Sequence, residues 1–216
     1  MGIRWRAGLL AVLIAVACGM AAAADTTTPW KKHRDPVRGF TISTPSRWQV
    51  IPESTKQRHA LVAKLRKEGR QALANQIAAF DQWPRFRVFD AVEWPPSATP
   101  IATDVIVVRR PLSPSDDRSA AGLRSVANVV YDSLKQEKAV RLGSKRATRV
   151  PLEGGLSYLI YGSPPAEGFL GRRTGFALYL LMGHRALWQI EFRTDERFSD
   201  QHSKVFRRIA GTVRMT

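Results

Sequence analysis

The residues to test first for chemistry are the four histidines, His33, His59, His184 and His202. Imidazole titrates near neutrality and binds metals more often than any other side chain. None of the four stands at ligand spacing from another histidine or a cysteine, so no metal centre is expected. His184 falls at a predicted hairpin tip and His59 in a predicted basic helix, where a solvated role suffices. Two acids, Asp90 and Glu191, lie in predicted strands, where burial perturbs a carboxylate. An enzyme with dispersed catalytic residues would need one of them beside His184 in a shared pocket. The chain has no P-loop, no G-x-S-x-G and no G-x-G-x-x-G. Gly168, Gly171 and Gly175 with Arg172 and Arg173 have the composition of an anion loop. They lack the preceding strand and following helix that aim backbone N–H groups at a phosphate. Asp116-Asp117 and Asp195-Glu196 each precede a predicted helix, where the dipole favours negative charge. The reading is therefore non-enzymatic, with no catalytic, cofactor or metal set.

Positive charge is what remains. The 34 Lys and Arg residues against 18 Asp and Glu residues give +16. A predicted amphipathic helix over roughly residues 55–80 has an apolar face of Leu61, Val62, Leu65, Leu73 and Phe80. Its wet face carries Lys56, Lys64, Lys67 and Arg70. These four are the candidate contacts with an anionic lipid or polymer surface. Nucleic acid is the obvious alternative for so basic a chain, but no helix-turn-helix, zinc-finger or RNP signature is present. A second reading makes the chain a subunit of an envelope or secretion assembly, with Trp83, Trp94 and Trp188 as interface candidates. Trp188, inside a predicted strand, belongs to the core.

The N-terminus argues for export, which also sets nucleic acid aside. Arg4 and Arg6, the apolar run Leu9 to Val16, and Ala22-Ala23-Ala24 before Asp25 have the three zones of a signal peptide over residues 1–24. That run is shorter than the roughly 20 residues a spanning helix needs. Cys18, in Ala15-Val16-Ala17-Cys18-Gly19, resembles the acylated cysteine of a bacterial lipobox, with Ala15 where Leu is usual. Cleavage after Ala24 discards Cys18; cleavage before it makes a lipoprotein, peripheral to a membrane through its acyl chain. Either way the folded part has no thiol and no disulfide. Residues 25–37 read as a polar tether and 38–216 as a single domain, exported to the periplasm or beyond.

The elements that would position these residues follow from periodicity. Phe40-Thr41-Ile42-Ser43 alternates as a half-buried strand does, Pro45 stops it, and Trp48 to Ile51 reads as its returning partner. Ser54 and Gln57 form a capping-box pattern ahead of the first helix. Strands are predicted at 86–89, 105–108, 145–150, 156–161, 175–182 and 187–192. Gly183-His184 joins the last two, glycine supplying the φ of a tight hairpin. A second helix follows Ser113 to Arg118, with Leu123, Val126, Ala127, Val130 and Leu134 on one stripe. Ser199 caps a last helix carrying Val205, Phe206 and Ile209, and Thr212-Val213-Arg214 reads as a closing strand. Hairpin strands interrupted by helices make an α/β (α+β) sandwich on a mainly antiparallel sheet.

The opening Gly39-Phe40-Thr41-Ile42-Ser43-Thr44-Pro45-Ser46-Arg47-Trp48 resembles the F-x-I-x-x-P-x-x-W pattern of PsbP-like domains, a superfamily that includes LpqN-type lipoproteins. The similarity extends to element order over nearly all of residues 38–216. It implies an αβα sandwich that serves as an accessory or binding module, usually without catalytic machinery, and it transfers no active-site residue.

Overall fold

Strand β10 (Ala186–Asp195) organises the molecule. It lies between β5 (Asp104–Pro111) and β9 (Thr174–Met182), antiparallel to both. The computed structural model describes residues 29–78, 86–93, 103–137, 140–163, 174–196 and 199–215. Within them, β3 (Gln49–Val50) and β4 (Arg87–Val92) extend the sheet beyond β5. On the other side β8 (Gly155–Ser163) follows β9, and β6 (Arg141–Leu142) and β7 (Thr148–Leu152) both pair with β8. A smaller sheet has the order β1 (Trp30–Asp35), β2 (Phe40–Pro45), β11 (Arg214–Met215). The helices are α1 (Thr55–Lys67), α2 (Gln71–Ala78), α3 (Ala120–Gln136) and α4 (Ser199–Gly211).

Period-2 alternation gives the large sheet two differently covered faces. One face presents Phe89, Val105, Val107, Tyr179, Trp188, Ile190 and Phe192. Phe206 and Ile209 of α4 close over it together with Phe40 and Ile42 of the small sheet. Phe192 stacks on Phe206 at 4.5 Å between ring centroids, and Tyr179 meets Phe192 edge-on at 5.8 Å. The opposite face presents Ile160, Leu180 and Leu187 to Leu123, Ala127 and Tyr131 of α3. Farther along that face, Val92 joins Leu65, Leu73 and Ile77 of α1 and α2. Helices thus flank the sheet on both sides, an αβα arrangement on antiparallel strands.

Several elements differ from the sequence expectation. Residues Trp30–Asp35, inside the expected tether, form β1, paired residue for residue with β2. Their polar composition conceals a strand with one face on water. Gln49–Val50 pairs with β4 and not with β2, whose two edges are already taken by β1 and β11. The expected helix 55–80 breaks at Gly69, which adopts φ 72°, the left-handed region glycine enters freely. The Gly69 N–H donates to the Arg66 carbonyl at 3.1 Å and the Arg70 N–H to that of Leu65 at 2.8 Å, a Schellman ending. Ser54 is the N-cap of α1 but its side chain makes no capping bond, whereas Ser119 Oγ accepts from the Gly122 N–H at 3.1 Å and caps α3. Gly183 is not among the positive-φ glycines of the described residues. It is required by space instead, since a Cβ there would lie 3.0 Å from Trp188 Nε1.

Phe192 is fully buried at the centre of the larger core. Phe192→Ala should cost about 3–5 kcal/mol in urea unfolding. Val129→Ala, on the exposed side of α3, should stay within about 0.5 kcal/mol.

Candidate functional site

Helix α1 turns Arg58, Val62 and Leu65 inward. At 100° per residue, Lys56, Lys64 and Lys67 fall on the opposite side, and all three are exposed, as are His59 and Arg66. The helix contains no acid; Glu68 follows it, 3.8 Å from Lys64 Nζ. Arg70, the fourth predicted contact, lies beyond the break at Gly69, half-buried and turned 3.4 Å from Glu68. The structure therefore keeps three of the predicted cations on one helical face and removes the fourth. Arg58 serves the fold, donating to the Pro52 carbonyl at 3.3 Å and to Thr55 Oγ1 at 3.0 Å.

The same sheet face that carries Val92 also holds a strip of charge. Asp90 on β4 and Glu191 on β10 both stand opposite Ile106 of β5, so they share one row and one face. Asp104 and Arg193 form the next row, joined by two bonds: Nε to Oδ1 at 3.0 Å and Nη2 to Oδ2 at 2.6 Å. Arg87 Nη1 donates to Asp90 Oδ2 at 2.8 Å. Asp90 is buried, and its Oδ1 has no hydrogen-bond partner among the described residues. Burial, and then the Asp104 charge, push the Asp90 carboxyl up to about 7 against the pull of Arg87 and Arg193. Burial likewise raises Asp104 and Glu191.

Across the sheet a buried polar chain ties α4 to the strand ends. Glu93 receives Arg47 Nη2 at 2.7 Å on Oε1 and faces His202 Nε2 at 3.2 Å through Oε2. His202 Nδ1 lies 3.3 Å from Thr194 Oγ1, itself 2.9 Å from Thr103 Oγ1. Glu93, His202, Thr103 and Thr194 are all buried. A hydroxyl, an imidazole and a carboxylate thus stand in series, all buried, with Thr194 also among the residues lining a neighbouring cavity. The arrangement is a structural tie. A cavity of about 510 Å³ lies nearby, between α4 and β8–β9, with Leu159, Tyr161, Tyr179 and Phe206 among its walls. Its polar wall includes Ser163, which donates to Glu196 at 2.9 Å.

Dispersed catalysis through His184 finds no geometry. His184 is exposed at the β9–β10 turn, and Glu191 lies five residues beyond the start of β10, about 17 Å along the strand. His59 is exposed as expected, whereas His33 is half-buried with Nε2 3.0 Å from Thr44 Oγ1, and burial lowers its pKa. Trp188 is in the core. Cys18, Phe80, Trp83, Trp94 and the Gly168, Gly171, Arg172 and Arg173 loop lie outside the described residues. Among the described residues no group of three metal-binding side chains converges.

The charged strip predicts a pH signature. A carboxyl raised from 3.8 to about 7 on folding holds its proton more tightly in the native state. Its contribution to stability is complete below the unfolded value and is lost as pH rises through the folded one. Asp90→Asn cannot ionise, so its melting temperature relative to the parent should climb between about pH 4 and 7 and level off above. A difference independent of pH would contradict the assignment.

No protein-family model matches the chain, and no curated protein matches it by sequence. Solved structures do. LpqN of Mycobacterium tuberculosis, described as involved in cell envelope biogenesis, aligns over 87% of this chain and 91% of its own at 14% identity, with a TM-score of 0.53. The cyanobacterial PsbP protein CyanoP of Synechocystis sp. PCC 6803 aligns over 89% and 96% at 10% identity, also with a TM-score of 0.53. At such identities the likeness concerns the backbone alone. The αβα sandwich described above, with its small sheet of β1, β2 and β11, is the PsbP-like fold.

Proposed function

We propose that this chain is an exported, non-enzymatic accessory or binding protein of the bacterial cell envelope, which meets an anionic lipid or polymer surface through α1. The observation that carries the reading is the solvent face of α1, where Lys56, Lys64 and Lys67 stand exposed opposite buried Val62 and Leu65. Cations gathered on one helical face act together on a charged plane, each adding about 1 kcal/mol near an anionic leaflet.

Two further features support the reading. The signal-peptide pattern of residues 1–24 directs the chain to a compartment where the polyanions are lipid headgroups and envelope polymers. A protein of the same fold, LpqN, is described as involved in cell envelope biogenesis. Among the described residues no helix is long and apolar enough to cross a membrane, so contact through α1 is peripheral. Acylation at Cys18 would add a hydrophobic term to the electrostatic one, and neither alone anchors firmly. The intact mass of the protein from its native membrane and soluble fractions distinguishes acylation at Cys18 from cleavage before Asp25.

The protein should co-sediment with phosphatidylglycerol vesicles at low salt and detach as ionic strength rises. Reversing the helix charge in Lys56→Glu/Lys64→Glu/Lys67→Glu should weaken binding by at least about tenfold, with Arg70→Gln nearly without effect. Binding that ignores salt, or survives the triple reversal, would refute the proposal.

A further inference from the structure

A second set of cations gathers on the small sheet, drawn from opposite ends of the chain. Arg34 of β1 stands opposite Thr41 of β2, and Thr41 stands opposite Arg214 of β11. Phe40 and Ile42 point into the core, so Thr41 and both arginines lie on the outer face. The result is a row with a hydroxyl between two guanidinium-bearing side chains. Lys32, opposite Ser43, is on the same face in the neighbouring row. Directly opposed side chains have Cβ atoms about 5 Å apart, so both arginines and the lysine reach a common point above Thr41. A groove of about 330 Å³ opens there, lined by Lys32, Arg34, Pro36, Thr41 and Arg214.

The acids near the groove have partners of their own, Asp35 and Glu53 sharing Arg38. Asp35 lines it, but its Oδ2 receives Arg38 Nη1 at 2.8 Å and its Oδ1 the Arg38 N–H at 2.9 Å. Arg38 holds that carboxyl below its usual value, although burial opposes the shift. Arg214 is fixed by Nη1 bonds to the carbonyls of Gly211 at 2.7 Å and Val213 at 3.0 Å. Its Nη2 meets Glu153, an exposed residue and the one carboxylate among the described residues that reaches this cation. Lys32 and Arg34 are exposed and have no acidic partner among the described residues.

Arg34 and Arg214 flank Thr41 from the strands on either side of it, and Glu153 is the one carboxylate bonded to any of the three cations among the described residues. The Arg34 fork, the Lys32 ammonium, the Thr41 hydroxyl and the donors that Arg214 keeps beside its backbone and Glu153 bonds match a tetrahedral oxyanion with more than one charge. We propose that this groove binds a phosphate group, either free in solution or as the terminal phosphate of a lipid headgroup. Arg34 and Lys32 supply the open donors and Thr41 its hydroxyl. Arg214 is the pre-set donor, with Glu153 as the internal competitor. The site stands independently of α1: that helix acts through diffuse, salt-sensitive attraction, whereas the groove is a saturable site of defined stoichiometry.

Calorimetric titration of the full mature protein with inorganic phosphate tests the free form. Vesicles containing phosphatidic acid, compared with phosphatidylglycerol vesicles of equal charge, test the headgroup form. The expected results are one-site saturation by phosphate, or a preference for phosphatidic acid. Either should weaken about tenfold in Arg34→Ala and in Lys32→Ala, the loss of one charge-assisted hydrogen bond. Glu153→Gln should strengthen it. Saturation by phosphate with no preference between the vesicles identifies the free anion; the preference without saturation identifies the headgroup. Lys56→Glu/Lys64→Glu/Lys67→Glu should leave the phosphate titration unchanged even if vesicle attachment is lost, so the two proposals fail separately. The absence of both saturation and preference, or binding that Arg34→Ala leaves intact with its circular dichroism unaltered, overturns the inference.

Discussion

The rest of the structure depends on the burial of β10 on both faces. A strand flanked by β5 and β9 has no edge on water, and its alternate side chains must satisfy two different interiors. Trp188, Ile190 and Phe192 meet α4 and the small sheet, while Leu187 faces the apolar side of α3. Beyond Leu187 that second face changes character, and Glu191 and Arg193 replace hydrocarbon. A charge in such a position is stable only when paired. The register then fixes the partner: Arg193 stands directly opposite Asp104, and their double hydrogen bond follows from that alignment.

The arginines consequently divide into two populations. Some complete the fold: Arg58 on loop carbonyls, Arg87 on Asp90, Arg193 on Asp104. Others pack their planes on aromatic rings, Arg208 at 4.2 Å over Trp30 and Arg109 at 5.8 Å over Trp188. The guanidinium does both because it is weakly hydrated and flat. The solvent-facing cations are the larger group; they include those of α1 and of the outer face of the small sheet, and also Arg124 on α3, Arg141 and Arg149 on β6 and β7, and Arg207 on α4. A net charge counts both populations alike, and only the second is open to a partner from outside.

What could be read from the sequence followed the reach of each signal. Phe40, Ile42 and Trp48 declare a strand, its inner face and the bend after it within ten residues, and all three are in the core. The stripe of α3 was equally plain because its period repeats four times. The break at Gly69 is hidden because apolar spacing continues across it from Leu65 to Leu73. β1 was hidden by composition: Lys31, Lys32 and Arg34 read as solvated chain, although one side of a surface sheet has the same chemistry. The tie between Glu93 and His202 spans 109 residues. Neither residue carries a local mark of the other. Asp90 and Glu191 are legible as strand acids, and Arg87 stands three residues before Asp90, but the pairing of Arg193 with Asp104 follows only from strand order.

The small sheet joins strands far apart in the sequence, residues 30–45 and 214–215. Strand β2 is gripped on one edge by β1 and on the other by β11, and the Thr212 hydroxyl accepts from the Ser43 N–H at 2.8 Å, 169 residues away in sequence. This gives the fold a clock. Segments close in sequence can pair early, but β2 keeps a bare edge, and Phe40 and Ile42 lack the cover of α4, until α4 and β11 are in place. Contacts of such separation form late and slowly. A sheet built this way is complete only when β11 docks on β2, long after β1 and β2 can pair.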